Sequence, residues 1–496
     1  MNILPVLLKD GYKAGHKFQY PSDTRYIYSN FTPRKSRTGL NECVVFGVQY
    51  FIKEYLEQQF TRNFFERDRD TVVAQYKRRM DNYLGKGAIA VDHIEALWTL
   101  GCLPLRVKAL PEGTLCPMGV PMFTVRNTHQ DFFWLPNMLE TLMSNILWMP
   151  CTSATTAFEY LKNFHRWARR TGANKDFIPW QGHDFSFRGM AGIEAAVLSS
   201  AGHLLSFTGT DTIPAIDFLE EYYGADSDKE LIGGSVPATE HSVMCIGTPE
   251  GEFATFKRLI TEVYPGNTEV FSIVSIVSDT WDLWKVVTDF LPRLKSEIMA
   301  RNGKVVIRPD SGNPADILCG DSDSNVEWIN KGLIECLWDI FGGTTNEKGF
   351  KTLDFHIGAI YGDSITIERQ KEILERLESK GFASDNIVLG VGSFTYQHVT
   401  RDSYGFAMKA THGITDSMGM VQIFKKPATD DGTKNSHRGY LKVVEHNGRL
   451  VCEQNVSQEE EHDGLLQTVY HNGNIPNRTT LAEVRGRLLS HLESRI

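Results

Sequence analysis

The chain has 496 residues, of which 41% are hydrophobic and 23% charged, with a formal net charge of -9. That length can bury a large core and points to two or more domains, while the acidic balance excludes a protein built to wrap nucleic acid or coat an anionic membrane. The eight cysteines show no CxxC spacing, so neither a zinc site nor a disulfide framework is indicated, and a reducing, cytoplasmic setting is expected.

At the N-terminus the apolar run 3–8 is short, contains Pro5 and ends in Lys9-Asp10, so it does not read as a signal peptide. Apolar spacing predicts helices over 48–60 and 67–84. The stretch 132–149 is interrupted by Pro136, Asn137, Glu140 and Asn145, and reads as core helices rather than a membrane span. Another helix is expected over 158–170, ending at Thr171-Gly172. From about 181 to about 400 short apolar runs end in small or acidic residues, and helical stretches follow. The ends are Gly209-Thr210-Asp211-Thr212, Ser278-Asp279-Thr280, Arg308-Pro309-Asp310, Gly362-Asp363-Ser364 and Gly390-Val391-Gly392-Ser393. Beyond 400 a strand is expected over 420–424. A terminal helix should start at Thr480, with Glu483 completing a capping box and Val484, Leu488 and Leu492 as its apolar stripe. The expected sections are 1–180, 181–400 and 401–496.

Polar strand ends separated by helices indicate parallel βα units. A barrel gathers such ends around one pocket, and an open doubly wound sheet does so at a switch point. Periodicity does not choose between the two.

The run Val305-Val306-Ile307 stops at Arg308-Pro309-Asp310-Ser311-Gly312, because proline has no N–H for the ladder. Arg308 suits an oxyanion there, and Asp310 suits sugar hydroxyls or a metal ion. In His183-Asp184-Phe185-Ser186-Phe187-Arg188-Gly189 an aromatic face suits a flat heterocycle and Arg188 suits phosphate; a buried strand with a surface salt bridge is the plainer alternative. His241, in a polar loop after Gly233-Gly234, suits an acid/base, a metal ligand, a phosphate acceptor or a structural role. Asp279 follows the strand-like run 270–277 and would orient a histidine across the pocket or cap a helix. Gly390-Val391-Gly392 lacks the third glycine of a dinucleotide fingerprint, yet a glycine turn before a helix suits a single phosphate. Arg401, Lys409, Lys425, Lys426 and Lys434 add positive charge downstream, and no GxxxxGK[ST] loop is present.

Taken in order, HDFSFRG, GTDT, SVPATEHS, SIVSDTWD, IRPDSGNP, YGDS, GVGSFTYQ and IFKKP resemble the nicotinamide phosphoribosyltransferases of bacterial or phage type, within the wider nicotinate/nicotinamide phosphoribosyltransferase family. The resemblance starts at Asp10-Gly11-Tyr12-Lys13 and covers nearly the whole chain. It implies a type II phosphoribosyltransferase fold: an α/β barrel-like domain plus a second α/β domain built from both chain ends. It also implies a homodimer with active sites at the subunit interface. The implied reaction joins nicotinamide to 5-phosphoribosyl-1-pyrophosphate with Mg²⁺, giving nicotinamide mononucleotide and pyrophosphate in NAD salvage.

By that resemblance Phe185 and the partner subunit's Tyr12 sandwich the pyridine ring, and Asp211 accepts from the carboxamide. Arg188 and Arg308 contact pyrophosphate, and Asp310, Gly362 and Asp363 hold the ribose. Gly392, Ser393, Arg401 and Lys409 surround the 5′-phosphate, the last two from the other subunit. Animal members carry a glycine run where this chain has Gly392-Ser393-Phe394. His241, beside Asp279, matches a phosphorylatable histidine that uses ATP as co-substrate, with Arg34, Lys425 and Lys434 around that nucleotide. The resemblance leaves the metal ligands unassigned. Members that use nicotinate carry serine in place of Asp211, so nicotinamide is expected to be preferred. Three rivals are a nicotinate phosphoribosyltransferase, a barrel phosphosugar or glycoside enzyme using Asp310 and Asp363 as paired carboxylates, and a non-catalytic binding protein.

Overall fold

The structure, a computed structural model, describes residues 3–267, 269–362, 364–425 and 436–496. Its chain divides into two units: Met1–Thr155 with Leu219–Ala225 and Val399–His491, and Thr156–Phe218 with Asp226–His398 and Leu492–Ile496. The lines drawn from sequence lay near 180 and 400.

The first unit is built from both chain ends. Its six-stranded antiparallel sheet runs Gly419–Gln422, Ala407–Thr415, Thr24–Thr32, Phe123–Asn127, Leu105–Ala109, Gln467–His471. Phe31 joins the two ends, stacking on Phe123 at 5.0 Å and on Phe406 at 5.2 Å. The helix expected over 67–84 spans Arg69–Leu84, because Asp68 accepts from the Thr71 N–H and caps it. The terminal helix Leu481–Ser490 carries the Thr480/Glu483 capping box and buries Val484 and Leu488; Leu492 lies past its end.

The helices expected over 132–149 and 158–170 are one helix, Leu135–Thr171, which runs through Pro150. Proline removes one intrahelical bond, but Leu139, Met143, Ile146 and Leu147 bury the face that precedes it, and burial outweighs a single bond. Gly47, at φ 93°, makes room for the ring: a Cβ there would lie 2.7 Å from Pro150. Among the described residues no helix is long and apolar enough to cross a membrane.

In the second unit six strands are parallel: β1 Gly182–Asp184, β2 Gly209–Thr210, β3 Ser272–Val277, β4 Gly303–Arg308, β5 Ile357–Tyr361 and β6 Ile387–Val391. They lie in the order β2-β1-β6-β5-β4-β3. Helices such as Ile193–His203, Leu291–Met299, Leu333–Phe341 and Ile367–Ser379 fall between them in sequence. The last is capped by Thr366 and buries Ile373, Leu374 and Leu377 along one face.

The sheet does not stay open. Segment 234–238 pairs in parallel with both edge strands, through Gly209 with Gly234 and through Ala238 with Ser275. Thr210 N–H donates to Gly234 O at 3.0 Å, and Ser275 N–H donates to Pro237 O at 2.9 Å. The start of the stretch read from sequence as a polar loop is therefore the stave that closes the barrel. Every strand then delivers its C-terminal residue to one face.

Candidate active site

A cavity of about 520 Å³ fills the barrel interior, with His183, Phe185, Asp211, Ser235 and Arg308 around its upper wall and Val306, Ala359 and Ile387 lower down. Strand alternation sorts the first motif. His183 and Phe185 face the cavity, their rings 4.4 Å apart, while Asp184 between them is fully buried and points the other way. Phe185 N–H donates to Val391 O at 3.0 Å. Its ring packs close against glycine: a Cβ at Gly390 would lie 2.5 Å from it, and one at Gly362 would lie 3.0 Å from Asp310 Oδ1 and 3.7 Å from the ring. Two glycines thus let an aromatic plane sit at the cavity mouth.

Asp211 stands beside that plane. Its Oδ1 accepts from Ser235 Oγ at 3.0 Å and from His183 Nε2 at 2.8 Å. Burial works to raise this carboxyl, but the hydrogen bond and charge of His183, the Ser235 hydroxyl and the Arg308 charge hold it below the ordinary carboxylate range. It is ionised at neutral pH, so His183 Nε2 must be the donor. Both contacts fall on Oδ1, which leaves Oδ2 to accept from a ligand. Sequence reasoning missed His183 and Ser235 as partners of this carboxylate. The period-two spacing of His183 and Phe185 was the available signal.

Arg308 ends β4, and its Nη2 donates to Thr239 O at 2.5 Å. Burial lowers its pKa from the ordinary guanidinium value, and the charges of Asp310, Asp211 and Asp279 oppose that shift; it remains a cation. Arg188, exposed, lies within its electrostatic reach.

Asp279, expected to orient a histidine or to cap a helix, accepts at Oδ2 from Asp310 N–H at 2.9 Å and from Ser311 Oγ at 2.5 Å, and the helix that follows is capped by Asp282 instead. The cause is adjacency: β3 pairs with β4, so the carboxylate meets the donors of the turn after Pro309. Its Oδ1 is buried without a partner. His241 opens the short helix His241–Cys245 with an exposed ring, its Nδ1 3.3 Å from Thr280 Oγ1.

Gly392 precedes a single helical turn, Ser393–Tyr396. Ser393 packs against Gly189, where a Cβ would approach its hydroxyl to 1.9 Å, so this turn is fitted to the one carrying Arg188. Asp363 and Lys434 lie outside the described residues. Among those described, no group of three or more His, Cys, Asp or Glu is placed to hold a metal by itself.

Tyr12, Arg34, Arg401, Lys409 and Lys425 belong to the first unit. Tyr12 is 65% exposed, with Lys13 Nζ 5.2 Å from its ring centre. Lys13 is buried and paired with Glu140 at 2.8 Å. Lys409 pairs with Asn30 across the sheet. Burial lowers its pKa, Glu140 opposes that, and Arg34, Lys425 and Lys13 add to it, so all four groups lie within electrostatic reach of Lys409. Arg401 is exposed in the turn Arg401–Ser403.

Residues 180–474 match the nicotinate phosphoribosyltransferase (NAPRTase) family, and residues 3–107 match the nicotinamide phosphoribosyltransferase N-terminal domain. The nicotinamide phosphoribosyltransferase of Acinetobacter baylyi is 49% identical over 505 residues, covering 99% of this chain and 98% of its own. That of Mycoplasma pneumoniae is 34% identical over 451 residues, covering 88% and 94%. In solved structures the fold is matched by the nicotinate-nucleotide pyrophosphorylase of Pyrococcus furiosus, with a TM-score of 0.56 at 14% identity over 98% of this chain and 95% of that one. Human nicotinic acid phosphoribosyltransferase gives 0.53 at 16% over 99% and 94%.

Proposed function

The chain belongs to the nicotinate phosphoribosyltransferase family, and from that premise we propose that it transfers the phosphoribosyl group of 5-phosphoribosyl-1-pyrophosphate to nicotinamide. The products are nicotinamide mononucleotide and pyrophosphate, in NAD salvage. The observation that carries the choice of base is Asp211. An ionised carboxylate with Oδ1 engaged and Oδ2 available, beside the Phe185 ring, suits a flat base bearing an amide N–H.

The pyridine nitrogen bonds to the sugar's C1 as the C1–O bond to pyrophosphate breaks, and the electron pair leaves with pyrophosphate. C1 becomes oxocarbenium-like, and no enzyme nucleophile is needed. The chain's task is to hold four groups in line. Phe185 stacks on the base and Asp211 fixes its amide. Arg308 and Arg188 lie on the pyrophosphate, where negative charge grows. Asp310 and Gly362, with Asp363, take the ribose hydroxyls. Gly392 and Ser393 lie at the 5′-phosphate.

The residues fit a Mg²⁺ ion carried by pyrophosphate. Asp279 has a buried oxygen without a partner, Asp310 sits in the turn that Asp279 holds, and Mg²⁺ is commonly bound by one or two carboxylates plus substrate phosphates. When bound, Mg²⁺ would supply charge neutralisation for the leaving group, and Asp279 and Asp310 are the residues of this chain that would hold it.

The same reading makes the protein a homodimer. Tyr12 of the partner subunit covers the second face of the base, and Arg401 and Lys409 of the partner subunit reach the 5′-phosphate. ATP phosphorylates His241, whose exposed ring supports that role, and Arg34, Lys425 and Lys434 surround the nucleotide. Phosphate on His241 places negative charge near Arg308 and favours the forward reaction.

The test follows pyrophosphate release from phosphoribosyl pyrophosphate and Mg²⁺. Release should require nicotinamide, match nicotinamide mononucleotide in amount and accelerate with ATP. Release that ignores nicotinamide would overturn the assignment. Acceleration that persists in His241→Ala would overturn the phosphohistidine.

A further inference from the structure

We propose that Asp184, which touches no substrate, is the positioning residue that sets Phe185 and Asp211 in register for nicotinamide. The inference rests on the reaction proposed above. Its basis is the way two motifs interlock behind the cavity wall.

Asp184 ends β1 and is fully buried. Its Oδ1 accepts from Ser186 N–H at 3.0 Å and from Ser186 Oγ at 2.6 Å. That closes a turn around Phe185, the residue in between. Its Oδ2 accepts from Thr210 Oγ1 at 3.0 Å and Thr212 Oγ1 at 2.8 Å, the two neighbours of Asp211. The backbone completes the clamp, since Asp211 N–H donates to Asp184 O at 2.9 Å. One oxygen therefore holds the turn of the stacking ring, and the other holds the turn of the amide acceptor. The motifs HDFS and GTDT alternate accordingly. His183, Phe185 and Asp211 face the cavity, while Asp184, Ser186, Thr210 and Thr212 face away from it and are all buried.

The ionised form is what this arrangement needs, because four donors converge and none can accept the proton of a carboxylic acid without reorienting. Burial works to raise the Asp184 carboxyl, and the nearby His203 with the hydroxyl donors hold it low. Burial itself lowers His203 to about 4. The imidazole is thus neutral at pH 7, accepting from Tyr396 Oη at Nδ1 over 2.6 Å and donating from Nε2 to Gly209 O over 3.1 Å. A buried carboxylate with all its bonds made also fixes a single arrangement.

Asp184→Asn keeps the volume but replaces one acceptor oxygen by an NH₂ group, so one of the two turns loses its anchor. The KM for nicotinamide should rise about tenfold or more, while the KM for phosphoribosyl pyrophosphate stays within about twofold. Preference for nicotinamide over nicotinate should fall with it. Thr212→Val and Thr212→Ser supply a second test that leaves the carboxylate in place. The valine variant should show the same KM split, and the serine variant, which keeps the donor, should restore the wild-type value. Equal loss toward both substrates, no loss at all, or a serine variant no better than valine would overturn the inference. Wild-type enzyme run alongside separates the two claims: no nicotinamide turnover in wild type would overturn the reaction itself and this role with it.

Discussion

Asp211→Ser should move preference from nicotinamide toward nicotinate. In the wild type, nicotinate brings its carboxylate to a group held ionised by His183 and Ser235. Two unit charges about 4 Å apart repel by about 4 kcal/mol at an effective dielectric constant near 20. The Asp211 side chain is 46% exposed, and solvent screening trims that to about 2–3 kcal/mol, or roughly 30- to 150-fold against nicotinate. Nicotinamide gains a charge-assisted hydrogen bond worth about 1.5–3 kcal/mol in its place. Serine removes both effects and can donate to a carboxylate. Because His183 and Ser235 remain, the pocket keeps its shape. The ratio of kcat/KM for nicotinamide to that for nicotinate should therefore drop about 100-fold or more, measured from initial rates with each base at saturating phosphoribosyl pyrophosphate. An unchanged ratio would refute the electrostatic reasoning.

Other outcomes follow from the same geometry. Gly390→Ala would drive a methyl group to 2.5 Å from the Phe185 ring and should raise the KM for nicotinamide about tenfold or more, read from base titrations at fixed phosphoribosyl pyrophosphate. Acid should destabilise the protein through buried histidines: burial lowers His93 to about 3 and His203 and His412 to about 4. Their unfolded value is about 6.5, so the unfolded chain binds protons that the folded chain refuses. The stability is present above pH 6.5 and is lost as pH falls from there toward 4, at up to about 1.4 kcal/mol per pH unit for each histidine. Urea midpoints at pH 7 and pH 5 check the sign. Thr480→Ala removes the cap on Leu481–Ser490 and should cost about 1 kcal/mol, seen as a lower melting temperature with kcat unchanged.

Much of this site was legible because its chemistry sits where parallel strands end. Arg308-Pro309-Asp310 announced itself, since proline stops a ladder and leaves two charges at the opening. Asp211, Asp279 and Gly392 stood out likewise, each at the end of a short apolar run. The closing stave, 234–238, was not legible: it makes only isolated bridges, and Gly-Ser-Val-Pro-Ala carries glycine and proline, which read as a turn, and has no apolar alternation to betray it. The role of Asp184, facing away from the cavity, was not legible within its motif, because a two-residue period needs both faces known before either can be assigned. The pairing of Asp279 with the Asp310 turn depends on which strands are neighbours, and strand order is not written in local sequence. Leu135–Thr171 read as separate helices because Pro150 is a local stop signal, overridden by buried neighbours on the same helix.

The most direct test of the central claim is a competition. Equimolar nicotinamide and nicotinate would share a limiting supply of phosphoribosyl pyrophosphate with Mg²⁺, and the products would be resolved by mass. Nicotinamide mononucleotide should dominate, in step with released pyrophosphate. Predominant nicotinate mononucleotide would keep the family and contradict the role given to Asp211, and with it the proposed reaction.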